Sequence, residues 1–118
     1  MSGGLYETDF YAWANEQVTL LRTGRLAVLL AHLLKWQAQP ELRGRSRLLT
    51  IRVQRRDLAQ VLRDNPGLRS RLPEMVADAY DKALLLAQRE TGLSAAAFPT
   101  ACPWTFDQAM QDPPDETR

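Results

Sequence analysis

A single cysteine, Cys102, and a single histidine, His32, set the first limits on this chain. One thiol excludes an internal disulfide and leaves no second sulfur for a zinc site. One imidazole leaves no Cys-His or Ser-His-Asp arrangement that spacing can support. Apolar runs of the roughly eighteen residues needed for membrane insertion are missing, as is an apolar leader for export. The expected setting is therefore the cytoplasm, with no membrane partner. Glycine-rich phosphate loops are missing too: Met1-Ser2-Gly3-Gly4 reads as a flexible start, and Gly67 and Gly92 read as isolated helix punctuation, which disfavours nucleotide hydrolysis. No segment alternates apolar and polar residues for long, and no fixed period signals a solenoid.

What is present is arginine, and it is unevenly placed. Nine of the thirteen arginines fall between Arg43 and Arg71, against two acids, Asp57 and Asp64, so this fragment carries +7 inside a chain of net charge +1. The segment after Leu72 carries three bases and eight acids, a balance of −5. Such asymmetry asks for a partner, within the chain or outside it. With 118 residues and 45% hydrophobic composition, the chain supports one core. A single domain is expected over residues 5–111, with flexible termini at 1–4 and 112–118.

Four stretches place apolar residues at three-and-four spacing, which predicts an all-α fold: an irregular bundle of four main helices plus a short C-terminal helix. The first starts at Thr8 or Asp9, carries Phe10, Trp13, Ala14, Leu20 and Leu21 with Tyr6, and ends at Gly24. The second runs from Leu26 to Gln39, with Leu26, Leu29, Leu30, Leu33 and Trp36 on a broad face and Pro40 blocking continuation. This helix is expected at the centre of the bundle. The third runs from about Ser46 to Arg63, with Leu48, Ile51, Leu58, Val61 and Leu62 inward. Asn65-Pro66-Gly67 predicts a bend. The fourth, expected to be the longest, opens at Pro73 and runs to Thr91 with Leu72, Val76, Ala79, Tyr80, Ala83, Leu86 and Ala87 inward. Gly92 closes it and Leu93 packs back. Ala95 to Phe98 reads as one turn, and Thr105 with Gln108 reads as a capping box.

Asp9-Phe10-Tyr11-Ala12-Trp13, His32-Leu33-Leu34-Lys35-Trp36-Gln37, Asn65-Pro66-Gly67-Leu68, Arg89-Glu90-Thr91-Gly92-Leu93 and Cys102-Pro103-Trp104-Thr105 form an ordered set. In order and spacing, the chain from Leu5 to Met110 resembles the bacterial and cyanobacterial domain of unknown function 29 family. The resemblance implies a small helical protein without an established activity. It also implies a difference: members of that family usually carry an acid-rich helical stretch between segments like Thr23-Gly24-Arg25 and Val28-Leu29-Leu30-Ala31-His32. Here Arg22 to Ala27 reads as a splice across it. Loss of that stretch would remove an acidic neighbour of the arginines and leave apolar surface to be buried by dimerisation or rearrangement.

Among candidate functional residues, Arg45, Arg52, Arg56 and Arg63 fall within about one sixth of the circumference of the third helix and can track a row of phosphates. The plainer reading is a solvated basic strip paired with Glu74, Asp78 and Asp81, the third helix pressing against the fourth by charge as well as by apolar stripes. Arg55 points into the apolar face and needs a carboxylate or carbonyls, with Glu16 and Glu90 as candidates. It is either an anion-binding arginine or an interhelical bridge. His32 can act as a general base only if a carboxylate orients it; otherwise it is a boundary histidine. Glu74, Asp78 and Asp81 lack the histidine or enclosure of a usual metal site, so neither metal nor cofactor is expected. Cys102 reads as a small buried hydrophobe, Trp104 as an anchor for the terminal segment, and Trp13 and Trp36 as core.

The preferred reading is a non-enzymatic, self-associating protein-interaction module. The alternative is nucleic-acid binding without sequence preference through the arginine strip; a weaker one is an enzyme using His32.

Overall fold

The computed structural model describes residues 24–111. The first predicted helix, with Tyr6, Trp13 and Glu16, lies outside the described residues, as do both predicted flexible termini. We label the helices α1 (Leu26–Ala38), α2 (Arg45–Asp64), α3 (Leu72–Thr91) and α4 (Phe106–Ala109). The first three are the second, third and fourth predicted helices. Short 3-10 turns at Pro40–Leu42, Pro66–Arg71 and Ala95–Ala97 join them, and no strand occurs among the described residues. The fold is all-α, as the periodicity requires.

Gly24 does not act as a stop. Gly24 and Arg25 form a π-helical turn that runs directly into Leu26, and among the described residues only Gly92 has a positive φ. From Gly24 to Ala38 the described chain is continuous helix.

α1 is the central rod. Leu26, Leu29, Leu30 and Leu34 have no exposed surface, and Ala27, Ala31, Leu33, Lys35 and Trp36 are buried around most of the rest of its circumference. A helix apolar over most of its circumference must be covered on more than one side, and Val28 and His32 mark the half-buried remainder. α2 covers one flank with Ile51, Leu58 and Leu62, while Leu48 and Val61 are half-buried. α3 covers another flank with Met75, Val76 and Tyr80 and a row of alanines, Ala79, Ala83 and Ala87, each wholly buried. Small side chains at four-residue intervals let two helix axes approach closely. Met75, not among the predicted inward residues, is fully buried, whereas Leu86 is half-buried.

The predicted pairing of α2 with α3 does not form. Both pack on α1 and scarcely touch each other, because α1 offers leucines on more than one flank while α2 and α3 each offer a single apolar stripe. α2 and α3 are each twenty residues long, so α3 is not the longest element.

The joints follow local chemistry. The last carbonyls of α1 are answered by arginines: Arg43 Nε donates to Trp36 O at 2.7 Å, with its guanidinium 5.4 Å from the Trp36 ring centroid. Arg47 donates from Nη1 to Lys35 O at 3.5 Å and from Nη2 to the Gln39 side-chain Oε1 at 3.0 Å. Positive charge at a helix C-terminus also meets the dipole favourably. Asn65 closes α2 by donating from Nδ2 to Val61 O at 2.9 Å, and the bend at Pro66 follows. Gly67 does not use a left-handed conformation there.

Gly92 ends α3 at φ 75°, its N–H donating to Gln88 O at 2.9 Å. A Cβ at this position would meet nothing within 4 Å, so Gly92→Ala costs only the left-handed backbone, about 1 kcal/mol. Urea denaturation should show that loss with an unchanged m-value; an unchanged midpoint would contradict the cap. Leu93 does not pack back: it is 37% exposed, its N–H held by Thr91 Oγ1 at 3.1 Å, which turns the chain outward. The terminal segment returns over α1 and α3 through buried Phe98, Trp104, Phe106 and Ala109. Its capping box is complete, with Gln108 N–H donating to Thr105 Oγ1 and Thr105 N–H donating to Gln108 Oε1.

Candidate interaction surface

α2 begins against its own dipole. Its first turn holds no acid and starts with Arg45, and Gly44 at the N-cap supplies no side-chain acceptor. Cations at a helix N-terminus are unfavourable, so this end of α2 is a positive surface that local folding does not favour. From there Arg45, Arg52, Arg56 and Arg63 run along one exposed flank. Arg63 donates to Gln60 Oε1 at 2.6 Å. Beside this flank stand Leu49 and Val53, 45% and 54% exposed. With Arg45, Ser46 and Thr50 they line a shallow hollow. A solvated basic face has no use for two exposed aliphatic side chains one turn apart, whereas a docking surface does.

The ion pairs among the described residues lie elsewhere than predicted. Arg25 pairs with Asp57 at 3.1 Å, Lys35 with Glu90 at 2.6 Å, and Arg89 with Glu90 at 3.7 Å. Glu74, Asp78 and Asp81 are exposed on α3, on a helix that α2 scarcely touches, so they do not neutralise the strip. Among the described residues no group of three or more His, Cys, Asp or Glu side chains could hold a metal ion.

Arg55 is buried, as its position predicts, and its Nε donates to Ala109 O at 2.8 Å. It thereby joins α2 to α4. Glu90, one of its two expected partners, is engaged by Lys35 instead, and the other, Glu16, lies outside the described residues.

His32 is half-buried on α1. Its pKa is lowered, first by burial and then by the positive charges of Lys35 and Arg47, with the Glu90 carboxylate opposing. The Glu90 carboxyl is held below its usual range, chiefly because it accepts the Lys35 hydrogen bond. The carboxylate that acts on His32 is thus already committed to a lysine. Both groups bind protons less readily folded than unfolded, so acid destabilises the fold. The His32 contribution is complete above its ordinary value of 6.5 and fades as pH falls below it; that of Glu90 is complete above 4.5 and is lost as pH falls through its lowered folded value. Chemical denaturation across this range should show two successive losses. His32→Gln should remove the upper one and Glu90→Gln the lower, and a stability that rises on acidification would refute the assignment.

A cleft of about 680 Å³ opens between the start of α3 and the terminal segment. Its walls include Leu72, Val76, Tyr80, Trp104 and Phe106, with Arg69 at its edge. Tyr80 Oη donates to Pro99 O at 2.5 Å, fixing the returning segment, and burial is the first cause of a Tyr80 pKa pushed up to about 12. Cys102 also lines this cleft, half-buried, its thiol directed to Trp104 O at 3.3 Å and its pKa raised by burial. That is the environment of a packing residue, not of a nucleophile.

Sequence reasoning missed two features. Lys35 is buried and paired with Glu90; the available signal was its place in a helix apolar over most of its circumference, where a charge taken from water must find a partner. Leu49 and Val53 lie on the arginine side of α2 and broke the amphipathic pattern visibly.

The described residues define a small all-helical protein whose outward surface is basic along α2 and acidic along α3. Residues 23–113 match the family model described as "Domain of unknown function DUF29", and the chain belongs to that family. The match omits residues 5–22, which the sequence resemblance also included. No curated protein and no solved structure matches the chain. No helix among the described residues is long and apolar enough to cross a membrane.

Proposed function

We propose that this protein is a non-enzymatic interaction module that associates with itself, using the outward face of α2 as a contact surface. The observation that carries the reading is the exposure of Leu49 and Val53 beside the arginine flank. Apolar residues ringed by long charged side chains suit the centre and rim of a protein contact. The unfavourable start of α2 supports it too, since a rule broken locally is commonly offset by a functional gain. The proposal includes a cytoplasmic setting, in keeping with the free thiol of Cys102.

Light scattering of the purified chain should give a species larger than one copy, with a melting temperature that rises with protein concentration. Leu49→Glu with Val53→Glu should shift it to the monomer without loss of helical circular dichroism. A wild-type chain that stays monomeric at high concentration ends the reading.

Nucleic-acid binding without sequence preference is the second reading, favoured by the alignment of Arg45, Arg52, Arg56 and Arg63 on one exposed flank. It requires retardation of duplex or single-stranded fragments that weakens steeply with salt and is abolished by Arg52→Glu with Arg56→Glu. Catalysis by His32 has no comparable support, because Glu90 is held by Lys35.

A further inference from the structure

α3 carries an exposed face that mirrors that of α2. Glu74, Asp78, Asp81 and Leu85 follow one another at i, i+4, i+7 and i+11, which places them on one side of the helix. All four are exposed, and Leu85, at 67%, is the most exposed large apolar residue of those described. On α2, Arg45, Leu49 and Arg56 stand at i, i+4 and i+11, with Val53 beside Leu49 and Arg63 two turns beyond Arg56. One face is aliphatic with arginines; the other is aliphatic with carboxylates. Since α1 lies between α2 and α3 within one molecule, these faces do not meet there.

We infer that the face of α2 docks on the Glu74, Asp78 and Leu85 face of α3 in a second copy of this chain. The inference rests on the self-association proposed above and names the other half of its contact. Complementary charge selects the occupant. Two α2 faces brought together would set arginine against arginine, whereas α2 on α3 sets arginine against carboxylate and leucine against leucine or valine. Antiparallel alignment places Leu85 against Leu49 with Val53 one turn along, level with Asp81; it sets Asp78 against Arg56 and Glu74 against Gln60, with Arg63 a turn beyond. Like charges fall level at both ends of this alignment, Arg45 with Arg89, where Glu90 stands 3.7 Å from Arg89, and Arg63 with Arg71, where Glu74 lies one turn on; Arg52 and Lys82, level in the middle, lie toward opposite margins of the two faces. Because the two docking faces are different surfaces, the contact is heterologous. It closes into a dimer only if both contacts form at once, and otherwise builds rings or chains.

The test is sedimentation velocity over a range of protein concentrations. Four samples are compared: the wild type, an α2 variant (Arg56→Glu with Arg63→Glu), an α3 variant (Glu74→Lys with Asp78→Lys), and the two variants mixed equally. Each variant alone should associate at least about tenfold more weakly than the wild type. The mixture should recover association, since the α3 face of the first variant and the α2 face of the second are both intact. Circular dichroism confirms that each variant keeps its helices. If the α3 variant assembles like the wild type, the docking inference falls while self-association stands. If the mixture stays monomeric, the head-to-tail contact is wrong. A wild type that is monomeric throughout removes both, and retardation of a duplex fragment that ignores the α3 substitutions would then assign the α2 strip to phosphates.

Discussion

Leu30→Ala is expected to lower the free energy of unfolding by about 3 to 4 kcal/mol. Leu30 has no exposed surface and sits in the middle of α1, the helix against which both α2 and α3 are built. Truncation removes the transfer free energy of its buried carbons and leaves a hole that neighbours on two flanks cannot both move to fill. Small domains are stable by only about 5 to 15 kcal/mol, so this change takes a large share. The comparison is Leu85→Ala, whose side chain is mostly exposed and whose loss should fall within about 0.5 kcal/mol. Urea denaturation at a concentration that keeps the chain monomeric measures both. Similar losses at the two positions would contradict α1 as the centre of the core.

Arg55→Ala should cost about 3 kcal/mol, and Arg55→Met clearly less. The arginine stem fills space under α4, and its Nε supplies the hydrogen bond to Ala109 O. Alanine loses both the packing and the bond; methionine keeps most of the volume and loses the bond. The terminal segment should loosen first, because α4 is a single turn held by this contact, by its capping box and by Phe106 and Trp104. Near-ultraviolet circular dichroism and tryptophan fluorescence report on Trp104 directly. If Arg55 were instead an anion-binding residue, millimolar phosphate would stabilise the wild type and not the methionine variant. We expect no such difference, since its Nε is already bonded within the fold.

Local signals were read correctly where a few neighbouring residues decide the outcome. The close of α3 at Gly92, the bend after Asn65 and the Thr105 and Gln108 capping box depend on backbone preference and hydrogen bonds within one or two turns. The burial of Arg55 followed from the same arithmetic, since its position on α2 falls among Ile51, Leu58 and Leu62. Gly24 shows the limit of such signals. Glycine permits a stop without requiring one, and here Gly24 is itself helical and leads straight into α1. Leu93 shows another, for Thr91 Oγ1 captured its N–H and turned it to solvent.

Partnership among charges was the part that could not be read. An arginine-rich α2 and an acid-rich start of α3 suggested that the two helices answer each other, yet both chose α1. The same composition is compatible with either arrangement, because Coulomb attraction between exposed side chains is worth far less than burying a row of leucines. Glu90 is the clearest case: it was a candidate for Arg55 and serves Lys35.

The amino-acid sequence by itself determined that this protein is helical, where its described helices run, and that it carries one strongly basic helix and one acidic face. These properties are set by residues close together along the chain. Tertiary structure alone decided that α1 stands between α2 and α3, leaving a basic aliphatic face and an acidic aliphatic face both turned outward. Which helices become neighbours depends on the sum of buried apolar area over the whole core, a quantity that no local stretch of residues contains.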